Sequence, residues 1–230
     1  MKVRIKFSKN GSVKFIGHLD VMRYFQKAIR RAEIDIAYSK GFSPHQIMSF
    51  AQPLGVGLES NGEYVDVELN SGVSSEDVKN KLNAVMNEGI KVESVKRLSD
   101  DAINAMASVA ASKYLIFIKE GYELDVDFYS QCVKLGQKDH IYIVKKTKKS
   151  EIEMDLKPAI YEMGVCEDGL VMMVDSSSSG NIKPNLVLEE VCKEYGIEYN
   201  SFAFGIKRLE MYTKNTEGKF ISMDEVGEDF

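Results

Sequence analysis

Apolar residues in this chain recur at every second position, then about every 3.6 positions, then at every second again, and the switch happens twice. That pattern admits strands alternating with amphipathic helices and little else. From Lys2 to Ser8, Val3, Ile5 and Phe7 fall on one side and Lys2, Arg4 and Lys6 on the other, which predicts a half-buried strand. Asn10-Gly11 marks a turn, and Val13 to Ile16 reads as a second short strand. From His18 to Glu33 the spacing becomes helical. Val21, Met22, Phe25, Ala28, Ile29 and Ala32 share one sector, and Arg23, Lys27, Arg30 and Arg31 cluster opposite. This helix is expected to bury one face and present a cationic stripe on the other.

The remaining elements follow the same logic. Ile34 to Tyr38 reads as a short strand, and residues 39–46 as a loop punctuated by Gly and Pro. Ile47 to Ala51 is extended again, and Tyr64 to Leu69 alternates with its acids on the side expected to be exposed. Ser74 and Asp77 are spaced to cap a helix that runs to about Asn87, with Gly89 ending it. Ile90 to Leu98 is the next strand. Strand, helix, strand, strand, helix, strand is the split βαβ order. The small, Ala-rich stretch 100–112 reads as a helical linker.

The order then recurs. Lys113 to Ile118 is a strand and Val126 to Leu135 a helix. Ile141 to Lys145 and Ile152 to Leu156 flank a basic KKTKK turn. Ala159 to Cys166 and Leu170 to Val174 form a hairpin across Glu167-Asp168-Gly169. Pro184 sits in the first turn of a helix to about Tyr195, where Pro is tolerated, and Ile206 to Tyr212 is the last strand. The expected fold is therefore α+β, with two tandem ferredoxin-like βαββαβ units at 1–99 and 113–215 and a frayed acidic tail at 216–230. The halves share element order and no residue-level repeat.

Net charge is −5, but residues 1–50 carry +7 and the other 180 residues −12. Such asymmetry points to a polyanion-facing region, against the plainer reading of solvated lysine and arginine. The N-terminus has no apolar signal-peptide core, and no apolar run is long enough to span a bilayer, so a cytoplasmic protein without membrane contact is expected. Cys132, Cys166 and Cys192 show no CxxC or CxxxCxxC spacing, which argues against a disulfide framework and a thiolate metal site. The three histidines lack HxH or HExxH spacing, and GxxxxGK[ST], GxGxxG and GxSxG are absent. No metal or cofactor is expected.

Chemistry-bearing residues cluster in a few places. His18 opens the basic helix with Asp20 and Arg23 close by, so it is a candidate general base, although its angle also suits a buried structural histidine. His45 lies in a loop that also holds Tyr38, Lys40 and Phe42, residue types that stack on bases and contact phosphates; a packed loop anchored by Phe42 explains them equally well. Lys157 and Lys183 each precede a proline, and the second stands at a helix start after the Ser176–Ser179 run, an arrangement able to hold a phosphate or simply to cap the helix.

The stretches FIGHLDVMRYFQKAIRRA (15–32), YSKGFSPH (38–45) and SFAQPLGVGLESNGEYVDVEL (49–69), with DLKP (155–158) and NIKP (181–184), resemble the radical-SAM-linked domain family. Its members are bacterial, of uncharacterised function, and often fused to or encoded beside a radical S-adenosylmethionine protein. The resemblance covers most of the chain. It carries over to His18, Asp20, Arg23, Arg30, Arg31, Tyr38, Gly41, Phe42, Pro44, His45, Ser49, Lys157 and Lys183. Some members have arginine before the last proline; Lys183 keeps the charge but lacks the guanidinium fork. Without CxxxCxxC, the chain would be the partner of the radical enzyme. The tandem order is also similar to CRISPR RNA-processing proteins, a fold-level analogy.

Three functions are open from the sequence. One is an accessory module presenting tRNA or rRNA to a radical SAM enzyme through Arg23, Lys27, Arg30, Arg31, Tyr38, Lys40, Phe42, Lys157 and Lys183. A second is an RNA-processing enzyme using His18 or His45. A third is a protein–protein adaptor whose basic helix docks on an acidic partner.

Overall fold

The computed structural model describes residues 1–72, 74–124, 127–146 and 151–230, with backbone alone at 145, 146, 151 and 152. In chain order the elements are β1 (Lys2–Lys9), α1 (His18–Arg31), β2 (Met48–Phe50), β3 (Glu59–Glu68), α2 (Ser75–Val85), β4 (Ile90–Arg97) and α3 (Ala105–Ser108). They continue as β5 (Ala111–Ile118), α4 (Phe128–Gly136), β6 (Tyr142–Lys146), β7 (Glu151–Asp155), β8 (Ile160–Cys166), β9 (Gly169–Asp175), α5 (Pro184–Glu194), β10 (Phe204–Lys214) and β11 (Phe220–Ser222). The protein is mixed α+β, with mainly antiparallel strands. It divides into two compact units, Met1–Ala110 with Arg208–Phe230, and Ala111–Lys207. The end of β10 and everything after it therefore fold with the first unit.

In the first unit β4, β1 and β3 lie side by side, β2 pairs with β3, and each of these pairings is antiparallel. Helix α1 buries Val21, Phe25, Ala28 and Ile29, the sector its periodicity marks out. Phe25 meets Phe7 of β1 at 4.6 Å and Phe50 of β2 at 5.6 Å between ring centroids. Each such large apolar side chain stabilises the fold by about 1.5–3 kcal/mol relative to an exposed one. Ser74 accepts a hydrogen bond from the Asp77 N–H at 3.1 Å and so caps α2.

Several expectations change. Val13 to Ile16 is not a strand: residues Gly11–Phe15 form a turn of 3-10 helix. Ile34 to Tyr38 makes only isolated bridges, Ile36 with Leu69 and Tyr38 with Gln46. The polar face of β1 is not solvated. Arg4 is buried and holds Asp66 through Nε at 2.8 Å and Nη2 at 2.9 Å, so the acid of β3 expected outside is inside as well. The same pair shapes the segment expected as a helical linker. Asp66 also accepts from the Ala105 N–H at 2.6 Å, and Arg4 reaches the Ile103 carbonyl at 3.3 Å, leaving one helical turn, α3, capped by Asn104. Tertiary hydrogen bonds here outweigh the helix propensity of the alanines.

The acidic tail is ordered. β11 pairs with β10, Met223 is buried, Glu228 bridges to Arg97, and Phe230 packs against the α1/α2 core. Its acids meet cations of β4, with Lys96 2.9 Å from Asp229. A second polar cluster holds β10 to the sheet. Tyr64 donates to Glu210 at 2.5 Å, and Lys6 lies 2.6 Å from Glu210 and 3.7 Å from Asp224. Burial, with the Glu210 charge, drives the Tyr64 phenol far above its ordinary range. Gly62 is required at this crossing, because a Cβ there would stand 2.8 Å from the Glu210 Cα.

In the second unit β5, β9 and β8 are antiparallel neighbours, and β6 and β7 form a separate two-stranded ribbon. The expected hairpin is present, with Cys166 opposite Gly169. Phe128 of α4 meets Phe204 at 5.1 Å. Val126, expected to begin this helix, and residues 147–150 of the basic turn lie outside the described residues.

Candidate functional site

Helix α1 places Arg23, Lys27 and Arg30 at the surface, as its amphipathic pattern requires. Arg23 faces Asp20 at 3.5 Å, and both are solvated, so the pairing is weak. Arg31 is exposed but engaged: its Nη2 donates to the Val85 carbonyl at the end of α2 at 3.0 Å, and its guanidinium lies 5.9 Å from the Tyr24 ring centroid.

The 38–46 loop is fastened to this helix. The Tyr38–Gln46 bridge closes it, and the Ser39 N–H donates to the His45 carbonyl at 2.8 Å. Buried Gln46 donates to the Gln26 carbonyl of α1 at 3.3 Å. His45 engages the Ser39 hydroxyl through Nδ1 at 2.9 Å, a loop-closing contact. Phe42 at the tip is fully exposed and so does not anchor the loop, Tyr38 is half exposed, and Lys40 is at the surface beside them. Gly41, at φ +114°, supplies the left-handed backbone of the tip.

Part of the +7 of residues 1–50 is offset by acids elsewhere in the first unit. Arg4, Lys6 and Lys14 pair with Asp66, Glu210 and Glu59. What faces solvent is the α1 stripe with Lys40.

His18 goes elsewhere. It is half-buried, its ring set edge-on to Phe50 at 5.4 Å. It borders a cleft of about 20 Å³ that Lys9, Phe50, Pro53, Leu54 and Glu63 also line. Lys9 and Glu63 are only 3% and 7% exposed, and Arg208, 1% exposed, donates Nε to Glu63 Oε1 at 3.1 Å and Nη2 to the Gln52 carbonyl at 3.0 Å. Burial lowers the Lys9 pKa; Glu63 opposes the shift and Arg208 adds to it. Sequence reasoning missed Lys9, Glu63 and Arg208. Nothing local marks them, since Lys9 falls at the end of a strand whose other lysines read as solvated.

In the second unit Lys157 is committed to structure, its ammonium donating to the Gly136 carbonyl at the end of α4. Lys183 is exposed at the N-cap of α5. His140 lies 2.8 Å from Asp155 and stacks on Tyr142. Among the described residues no group of three or more His, Cys, Asp or Glu is placed to hold a metal, and no helix is long and apolar enough to cross a membrane.

The fold and surface define an α+β protein with an exposed cationic helix and an aromatic-tipped loop fastened to it. The chain belongs to a family described as uncharacterized protein conserved in bacteria (DUF2344), whose model matches residues 2–184. Comparison with curated proteins finds no match. Among solved structures, the chain is similar to the crystal structure of a Cbf5-Nop10-Gar1 complex, with a TM-score of 0.49 and 9% identity over 91% of this chain and 48% of that one. It thus spans about half the length of the solved chain it matches.

Proposed function

We propose that the protein is an accessory RNA-binding module acting with a radical SAM enzyme in RNA modification. One observation carries the RNA part: the exposed cations Arg23, Lys27 and Arg30 of α1 adjoin a loop, hydrogen-bonded to that helix through Gln46, that offers solvent-facing Tyr38, Lys40 and Phe42. Cations of this kind contact phosphates, and exposed rings stack on unpaired bases. Lys183 adds a cation in the second unit, whereas Lys157 and Arg31 have structural contacts as well. The radical SAM partner is supported by the motif resemblance of residues 15–69, 155–158 and 181–184. Strand order β4-β1-β3-β2 with antiparallel pairing supports a ferredoxin-like reading of the first unit.

The test is binding of the full chain to total cellular RNA across a salt series, compared with Arg23→Ala/Arg30→Ala. The double variant should bind more weakly, with a log–log salt slope shallower by about 0.7 for each single-strand phosphate it no longer neutralises. Equal affinity and equal slope would refute the reading. A second reading, an RNA-processing enzyme using His18, is favoured by the position of His18 at a cleft shared with a buried lysine. His45 is tied to Ser39 in its loop.

A further inference from the structure

We infer that a pocket in the second unit, walled by Tyr122, Tyr195, Tyr199 and Phe202, binds a small molecule that carries a quaternary ammonium group. The inference does not depend on RNA binding.

The pocket lies wholly within the second unit, between residues 122–124 after β5 and residues 195–203, the connection from α5 to β10. Hydrogen bonds fix both walls. The Lys119 N–H donates to the Ala203 carbonyl at 2.8 Å, and the Tyr122 N–H to the Lys119 carbonyl at 3.2 Å. The Phe202 N–H donates to the Asn200 side-chain oxygen at 3.0 Å. Tyr199 is held in place: its hydroxyl accepts from Asn185 Nδ2 at 3.1 Å, and its ring stacks on Phe204 at 5.9 Å. Tyr122 and Phe202 are 39% and 73% exposed, so two large aromatic side chains face solvent on a concave surface. The space they help to enclose is about 750 Å³, within the range of roughly 300–1,000 Å³ that small-molecule pockets occupy.

Charge selects the ligand. An aromatic wall suits a nucleobase or a cation alike. The charged residues that line this pocket are Glu123 and Glu198, both exposed, and among the described residues no lysine, arginine or histidine lines it. Two lysines close to the wall are engaged: Lys119 donates to the Phe202 carbonyl at 3.2 Å, and Lys138, near Tyr195, donates to Glu194. A lining of this sign repels the phosphates of a nucleic acid and attracts a cation, whose binding the rings reinforce. Shape then selects among cations. A primary ammonium is compact and strongly hydrated, and its N–H groups need acceptors. A guanidinium is planar, so rings stack on its two faces only. A quaternary ammonium is round, has no N–H to satisfy, and spreads its charge over methyl groups that meet several rings at once.

The experiment uses the full chain, freed of nucleic acid, labelled with ¹³C-tyrosine and titrated by NMR at constant ionic strength. The titrants are choline chloride, guanidinium chloride, sodium chloride and dimethylbutanol, the uncharged carbon isostere of choline. The ring signals of Tyr122 and Tyr195, each assigned by its loss in the Tyr→Phe variant, are followed. Choline should shift both saturably, while guanidinium and sodium give only linear drift. Dimethylbutanol has the shape without the charge and should bind about tenfold more weakly. Phe202→Leu keeps apolar bulk but removes a ring, and should weaken choline binding about two- to fivefold, the worth of one exposed cation–π contact. Glu123→Gln/Glu198→Gln should weaken it as well. These three positions are exposed, so the substitutions leave the fold intact. A choline response no different from sodium, an isostere that binds as tightly as choline, or tighter saturable binding of guanidinium would each overturn the assignment. So would undiminished choline affinity in both Phe202→Leu and the double glutamine variant.

Discussion

Glu63 takes both the Nε and the Nη2 of Arg208 on a single carboxylate oxygen, joining residues 145 positions apart inside the first unit. The contact ties β3 to the strand that returns after the second unit, and it stands beside Lys9. Removing one partner of a buried pair typically costs about 3–5 kcal/mol, because the other charge is left unpaired. The two removals are not equivalent here. Glu63→Ala takes away the carboxylate that accepts from Arg208 and that favours the charged form of Lys9, while Arg208→Met leaves Glu63 with Lys9 in reach. Urea denaturation should therefore show the larger loss of stability for Glu63→Ala. Equal losses would mean that Lys9 does not feel this carboxylate.

Lys6 and Lys9 of β1 respond to pH in opposite senses. Burial lowers Lys9 below its ordinary value of 10.5, so between its folded pKa and 10.5 the unfolded chain binds more protons, and stability rises with pH. For Lys6, burial acts downward, but the hydrogen bond and charge of Glu210, with Asp224, raise it overall. Its contribution is present below 10.5 and is lost as pH climbs through the raised folded value. Relative to wild type, any stabilisation by Lys9→Met should shrink as pH approaches 10.5. The destabilisation by Lys6→Met should hold there and shrink only above it. Denaturation series at several pH values check both, and a Lys9→Met effect that grows with pH would contradict the assignment.

Much of this was legible in the sequence because it is local. The alternation in β1, the 3.6-residue stripe of α1, the Ser74 cap and the β8–β9 turn all follow from residues within a few positions of each other. The outward set of α1, Arg23, Lys27 and Arg30, was legible for the same reason. Long-range polar pairing was not. Arg4 and Asp66 are 62 residues apart, and each alone looks like a solvent-facing charge on an alternating strand. The same holds for Lys9, whose burial depends on β3, α1 and the last part of the chain. The tail misled because its acids suggest fraying, while Met223 and Phe230, which hold it, are single apolar residues without period.

Phe42 has no packing role at the tip of its loop, so its substitution separates binding from folding. Phe42→Ala should leave thermal stability unchanged within about 0.5 kcal/mol, the usual range for surface substitutions. If the loop stacks on unpaired bases, affinity for single-stranded RNA should fall by about 1–3 kcal/mol, with the salt slope unchanged because no charge is removed. Fluorescence anisotropy with a labelled oligonucleotide measures both quantities. A variant that binds as wild type would leave the cations as the whole interface and remove base stacking from the proposal.

The cysteines provide a check on the core that is independent of any ligand. Cys132 and Cys192 are buried on α4 and α5, and Cys166 is exposed at the end of β8. Burial, with the nearby Cys192, pushes the Cys132 thiol up to about 12, and burial also raises Cys192. Since the thiolate is the reactive form, these two should be inert in the folded chain at about pH 8 while Cys166 reacts. A thiol reagent should thus titrate one group in the native protein and three after denaturation, and Cys166→Ser should abolish the native reaction. Two or more fast thiols in the native state would show that α4 and α5 do not pack as described. A single fast thiol that persists in Cys166→Ser would show the same for whichever helix carries it.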